Sequence, residues 1–274
     1  MAHPVALSIA GSDPSGGAGI QADLKAFSAQ GVYGAAAITL ITAQNTRGVQ
    51  GVELLAPALV TAQITSVLDD LDVGAVKIGA LGAATIIKAV AKALTAYAGP
   101  VVLDPVMVAK SGDPLLGPEA VSALRALLVP RADLVTPNLP EAAALAGTPV
   151  AQSAAHARNQ AEALLTAGAG AVLIKDGHGT GAQTVDLLHR PNTEPLAIGH
   201  PRIVTRNTHG TGCTLSSAIA ARLALGEDLG TAVSRARAWL QGAIAGADSL
   251  EIGAGHGPLH HFHALWPVTS PHTP

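Results

Sequence analysis

The residues Asn207-Thr208-His209-Gly210-Thr211-Gly212-Cys213-Thr214 lead without a break into the apolar, alanine-rich run Leu215–Leu225. Small residues at a helix start leave several backbone N–H groups unpaired and aimed along the positive end of the helix dipole. Gly210, Thr211 and Gly212 therefore form a candidate anion hole for a migrating phosphoryl group. Cys213, the single cysteine, sits at the same helix start, a setting that lowers a thiol from about 8.5 toward neutrality and makes it a candidate base. Taken alone, the segment also reads as a small buried residue capping a helix.

Oxygen donors stand at two further places. Asp104 closes the apolar run in Val102-Leu103-Asp104-Pro105-Val106-Met107, and Asn138-Leu139-Pro140-Glu141 follows Asp133–Thr136. Oxygen-only ligands of this kind suit Mg²⁺, which keeps most of its waters and bridges to substrate phosphates. Asp104 can equally be a loop anchor, and Asn138 with Glu141 has the spacing of an ordinary N-cap and its third-position partner.

Early in the chain, Gly11-Ser12-Asp13-Pro14-Ser15-Gly16-Gly17-Ala18-Gly19 joins a first strand to a helix that contains Asp23. Such a turn lets backbone N–H groups approach a ligand. Gly17-x-Gly19-x-x-Ala22 fits the loose dinucleotide fingerprint, but where that reading needs an acidic residue the chain has Thr42-Ala43-Gln44-Asn45-Thr46. No G-x-x-x-x-G-K-[ST] loop occurs anywhere. His209, inside the anion-hole loop, helps shape the substrate side. His256 and His260 are separated by glycine and proline and read as structural.

These residues must be positioned by elements that alternate. Val5–Ala10, Ala36–Thr42, Ala75–Ile78, Val101–Asp104, Asp133–Thr136 and Ala171–Lys175 read as buried strands. Gln21–Gln30, Leu59–Leu71, Ala84–Tyr97, Pro118–Leu128, Pro140–Ala146, Ala154–Ala167, Thr214–Leu225 and Leu229–Ala247 read as helices. Alternation implies right-handed crossovers and a three-layer α/β fold with a mostly parallel central sheet, its ligands at the strand C-terminal ends. Thr184–Arg190 and the stretch after Pro191-Asn192-Thr193 predict an added strand pair at the sheet edge. Residues 1–266 are expected to form a single domain, with 267–274 a frayed tail.

Of 274 residues, 49% are hydrophobic and 13% charged, the balance of a well-buried globule. Sixteen basic against 19 acidic residues leave no basic excess for a phosphate backbone, so nucleic acid is not an expected partner. A lone cysteine excludes an intrachain disulfide and points to a reducing compartment. The first residues lack a secretory pattern, and apolar stretches such as 31–43 fall short of the roughly 18 residues a membrane span needs. A soluble cytoplasmic protein with no membrane partner is expected.

Six separated motifs, AGSDPSGGAGIQADLKAFSAQG, TAQNTRGVQ, LDPVMVAKSGDPLL, TPNLPEA, NTHGTGCT and GPLHHFHALW, together resemble the hydroxymethylpyrimidine/phosphomethylpyrimidine kinases of thiamin biosynthesis, from about residue 5 to 266. The resemblance implies a ribokinase-like fold, a homodimer, and ATP with Mg²⁺ phosphorylating an aminopyrimidine alcohol and then its monophosphate. It implies that Cys213 is catalytic, that Asp23 and Gln44 contact the aminopyrimidine, with Gly11, Ala80, Val106 and His209 on the same side, that Asn138 and Glu141, with Asp104, manage metal and phosphate, and that Lys175 approaches the triphosphate. The chemistry is consistent: a carboxamide matches the donor–acceptor edge of a 4-aminopyrimidine, and an ammonium serves phosphoryl oxygens as a point charge.

Two positions depart from the family pattern. Ala80 stands where relatives tend to have methionine, which opens the pocket and leaves pyridoxal kinase activity as the alternative enzyme reading. Asp176 follows Lys175 where relatives often carry glycine, adding negative charge near the phosphates. A pyrimidine-sensing module without catalysis is the non-enzymatic alternative. The Asp104–Leu116 segment, with Lys110-Ser111-Gly112-Asp113 at its tip, is a candidate lid.

Overall fold

The computed structural model describes residues 3–108, 115–175 and 181–266. The predicted lid tip, Asp176 and the tail 267–274 lie outside the described residues.

Strands β1 (Val5–Ala10), β2 (Tyr33–Ile38), β5 (Val73–Ile78), β6 (Val101–Leu103), β7 (Leu134–Val135), β8 (Val172–Ile174), β9 (Gln183–His189) and β10 (Leu196–Pro201) make one sheet. Its order is β10-β9-β8-β7-β6-β5-β1-β2, parallel from β8 to β2, with β9 and β10 antiparallel at one edge. The expected edge pair is therefore present, and Asn192 takes the left-handed conformation in its turn. Between β1 and β5 the winding reverses, which opens a crevice outside their C-terminal ends.

Side chains of successive strand residues point to opposite faces, and both faces are covered. On one, Leu7, Ile9, Val76, Ile78, Val101, Leu103, Val172 and Ile174 pack against α2 (Pro57–Leu68), α3 (Ala84–Ala93), α4 (Pro118–Ala123), α5 (Leu139–Ala146) and α6 (Ala154–Thr166). On the other, Ala6, Ala75, Val102, Leu134 and Leu173 pack against α1 (Gly19–Ala29), α7 (Thr211–Ala224) and α8 (Leu229–Ala245). The three-layer expectation holds. The long helix predicted over Pro118–Leu128 is instead α4 continued by a π-helical turn, Leu124–Leu128.

A second departure lies after β2. The run Ala36–Thr42 is not a single strand: β2 ends at Ile38, and β3 (Leu40–Asn45) pairs antiparallel with β4 (Gly48–Leu54) as a separate two-stranded hairpin. No glycine or proline marks the break. Thr39 makes it, its amide bonding the Ala10 carbonyl at 3.0 Å while its hydroxyl donates to the Ala80 carbonyl at 2.7 Å. The hairpin carries Gln44 out of the sheet and over the crevice mouth beside β1.

Candidate active site

Residues following β6, β7 and β8 supply one half of the site. Lys175, at the end of β8, donates from Nζ to Asp104 Oδ1 at 2.9 Å and stands 3.9 Å from Glu141 Oε2. Burial works against its charge, but Asp104 and Glu141 outweigh burial and hold its pKa above the usual lysine value. Asp104, 1% exposed, also faces the hydroxyls of Thr136 and Ser216, each at 3.3 Å. Burial pushes the Glu141 carboxyl up to about 7, against the pull of Lys175. Asn138 caps α5: its Oδ1 accepts from the Glu141 amide at 2.9 Å, and Glu141 Oε2 accepts from the Asn138 amide at 2.8 Å. The capping reading of this motif is thus realised, and the same carboxylate turns toward Lys175.

Helix α7 supplies the other wall. Gly210 has φ 77°, and a Cβ there would run into the Gly17 carbonyl oxygen, so only glycine closes this turn. Thr211 directs its amide and hydroxyl to the Thr208 carbonyl, at 3.3 and 2.7 Å, leaving Gly212 and Cys213 as first-turn amides without an acceptor inside the helix. A Cβ built on Gly212 would lie 3.4 Å from both Asp104 Oδ2 and Lys175 Nζ, so the helix start abuts the lysine cluster.

Cys213 corrects a sequence-based expectation. Its thiol is not lowered toward neutrality: burial pushes it up to about 11, with the Asp23 and Asp104 carboxylates adding to the rise and Lys77 and the Gly19 amide opposing it. A local helix terminus is outweighed by tertiary enclosure.

Asp23 is also placed differently from the contact expected of it. It is fully buried, accepting from Lys77 Nζ at 2.8 and 2.9 Å, Ser8 Oγ at 2.6 Å and Ser217 Oγ at 2.7 Å. Its oxygens are occupied and no edge is open to a ligand. The pair instead forms a polar island beneath Cys213, on the sheet face covered by α1 and α7. Lys77 itself is read by sequence only as a strand residue, although a lysine inside an apolar strand is the signal of such a pair.

The acceptor side gathers around His209. Its Nε2 lies 2.7 Å from Asp13 Oδ2, and the Gln44 amide nitrogen lies 3.3 Å from the same ring atom. Asp13 is held in turn by the Ser15 amide and hydroxyl and the Ala18 amide, at 2.9, 2.7 and 2.8 Å. Sequence reading missed Asp13, although Asp-Pro-Ser is turn chemistry. Gly11 is buried where a Cβ would meet Leu40 Cδ1 at 2.6 Å, so it lets the hairpin approach β1. Ala80 and Val106, both half-buried, follow β5 and β6.

An ammonium held between carboxylates, set against helix-terminal amides that have no acceptor within the helix, is suited to a phosphoryl group in transfer. Fold and site together define an α/β phosphotransferase. Comparison with known proteins agrees. The family model for phosphomethylpyrimidine kinase matches residues 13–260. The chain is 56% identical over 262 residues to the hydroxymethylpyrimidine/phosphomethylpyrimidine kinase of Rhizobium meliloti, covering 96% of this chain and 98% of that one. Among solved structures, the phosphomethylpyrimidine kinase of Clostridium difficile 630 superposes with a TM-score of 0.77 at 42% identity, covering 88% of this chain and 99% of that one. The ADP complex of Bacillus subtilis pyridoxal kinase gives 0.88 at 36% identity, covering 96% and 99%. The chain belongs to the phosphomethylpyrimidine kinase family and has its ribokinase-like fold.

That family is one of kinases, which sets aside the dinucleotide and sensing-module readings and implies ATP and a divalent metal. Among the described residues no group of three or more His, Cys, Asp or Glu is placed to cage a metal. Two carboxylates, Asp104 and Glu141, bracket Lys175 with oxygen donors only. So sparse a set fits a hard cation that keeps its waters and bridges to phosphate.

Proposed function

We propose that the protein is an ATP-dependent kinase of thiamin biosynthesis that converts 4-amino-5-hydroxymethyl-2-methylpyrimidine to its monophosphate and then to its diphosphate. The observation that carries this reading is that a Cβ built on Gly212 would lie only 3.4 Å from both Asp104 Oδ2 and Lys175 Nζ, which joins the amide-lined helix start to the charged cluster. Lys175 offers its charge to the transferring group, and the Gly212 and Cys213 amides receive oxyanion charge as it develops. Asp104 and Glu141, with Asn138 fixing the latter, would hold Mg²⁺ through water; when bound, the ion supplies charge neutralisation on the phosphates. Gln44 reads the aminopyrimidine edge, with Gly11, Ala80, Val106 and His209 around it. The thiolate form of Cys213, once its own proton has left to solvent, accepts the alcohol's proton in the first step. Asp23 acts from beneath, through Lys77, rather than by touching the ring.

Residues 1–266 act as one domain in this reading, in a soluble cytoplasmic homodimer that engages no nucleic acid. The exposed Val52 and Leu54, on one face of the hairpin, offer an apolar surface for the partner copy. No described helix is long and apolar enough to cross a membrane. The test compares kcat/KM of purified protein with MgATP on hydroxymethylpyrimidine, its monophosphate and pyridoxal. Preference for the first two is expected, and preference for pyridoxal would refute the proposal.

A further inference from the structure

The Gln44 amide stands between two neighbours that dictate which way round it sits. Its Nε2 is 3.3 Å from His209 Nε2, and its Oε1 is 3.3 Å from Thr42 Oγ1. Both neighbours have their hydrogens committed elsewhere. His209 Nε2 lies 2.7 Å from Asp13 Oδ2, so this ring nitrogen carries the proton whether the imidazole is neutral or charged. Burial pushes the Asp13 carboxyl up, but hydrogen bonds from His209 and Ser15 outweigh it and hold it below the usual carboxylate value, so Asp13 only accepts. Thr42 has one hydroxyl proton, and the Ser12 carbonyl at 2.9 Å takes it. Toward Gln44, then, His209 Nε2 has no lone pair with which to accept, its single hydrogen being given to Asp13, and Thr42 is an acceptor. An amide nitrogen facing His209 sets donor against donor, and an amide oxygen facing Thr42 sets acceptor against acceptor. A half-turn of the amide, whose two ends are nearly isosteric, turns the Thr42 contact into a hydrogen bond and removes the opposition of hydrogens at His209.

We propose that Asp13, His209, Thr42 and the Ser12 carbonyl form a positioning relay that holds Gln44 with Oε1 toward His209 and Nε2 toward Thr42, and that this orientation aims the substrate's hydroxymethyl group at Gly210–Cys213. The second half rests on the substrate reading above. In a 4-amino-5-hydroxymethylpyrimidine the ring nitrogen, the amino group and the hydroxymethyl group follow one another around the ring. Gln44 Oε1 accepts from the amino group, and Nε2 donates its remaining hydrogen to the ring nitrogen. With Oε1 on the His209 side, the amino group lies toward His209 and the hydroxymethyl group lies beyond it. His209 leads directly into Gly210–Gly212, and Gly212 lies against Asp104 and Lys175. The opposite amide orientation turns the alcohol back toward Thr42 and Ser12, away from any phosphate-binding group. The relay thus sets the register of the acceptor as well as its affinity.

Two measurements test this. In ligand-free protein, nuclear Overhauser contacts from the Gln44 amide protons are expected to Thr42 and not to the His209 ring; the reverse pattern overturns the proposal. Second, Kd for hydroxymethylpyrimidine by calorimetry and kcat for its phosphorylation are compared in wild type, Thr42→Val, Thr42→Ser and Asp13→Asn. Thr42→Val and Asp13→Asn should lower kcat tenfold or more while Kd stays within about threefold, because a misoriented ring still fills the pocket. Thr42→Ser, which keeps the hydroxyl, should recover most of the rate lost in Thr42→Val. Equal losses in Kd and kcat, or no rescue by serine, overturn the steering role. If wild-type protein does not phosphorylate hydroxymethylpyrimidine, the substrate reading fails, and the ligand-free contacts still decide the amide orientation.

Discussion

A thiol held near 11 at the start of α7 makes the first phosphorylation a pH-dependent reaction of a particular slope. At pH 7.5 a group with that pKa is ionised to about 3 parts in 10⁴, and at pH 9 to about 1 part in 10². If the Cys213 thiolate removes the alcohol's proton, kcat/KM for hydroxymethylpyrimidine rises close to tenfold per pH unit from 7 to 9, about 30-fold over the upper 1.5 units. The second step has no such requirement, because a phosphate monoester with a second pKa near 6 is already ionised. Its rate should be nearly flat over the same range. Cys213→Ala should cost the first step on the order of 10²-fold, within the usual range for a positioned base, abolish its pH slope, and change the second step by less than about threefold. Cys213→Ser keeps the volume and controls for packing: it should lose the slope as well. The assay is the initial rate of ADP release with each acceptor separately. Equal losses in both steps, or a first step flat between pH 7 and 9, would refute the base role and leave Cys213 as part of the helix-terminal architecture.

Beneath that thiol, Lys77→Met leaves the Asp23 carboxylate buried with no counter-charge and should destabilise the protein by about 3–5 kcal/mol in urea unfolding. Adding Asp23→Asn, which still bonds Ser8 and Ser217, should restore at least half of that loss; no restoration would show that Lys77 acts by packing instead of charge. Glu141→Gln tests the phosphate side: the folded-state pKa of about 7 lies above the ordinary value of 4.5, so the folded state binds the proton more tightly and stability falls as pH rises between the two. Glutamine keeps the helix cap and removes that loss, so the gain in Tm over wild type should be larger at pH 8 than at pH 4.5, and a gain independent of pH would contradict the burial argument.

Much of the phosphate half was legible in the chain, because its signals are local. Asp104 and Lys175 each end an apolar run, Asn138 and Glu141 carry their own capping geometry, and Gly210 stands where only glycine turns into a helix. Strand–helix alternation likewise predicted the layered sheet, since each element's periodicity is written in neighbouring residues. The hairpin was missed because its boundary at Thr39 is made by contacts with Ala10 and Ala80 and by no turn residue.

What the sequence by itself determined, then, was which residue types stand at the strand ends and helix starts, and hence the class of chemistry. The tertiary structure alone decided their electrostatics and orientation. Cys213 rises although its helix position predicts a fall, Asp23 is committed to a lysine 54 positions away, and Gln44 stands against a histidine whose own partner lies 196 positions away. Burial and charge act through space, between residues that share no local pattern, and only the folded chain brings those terms together.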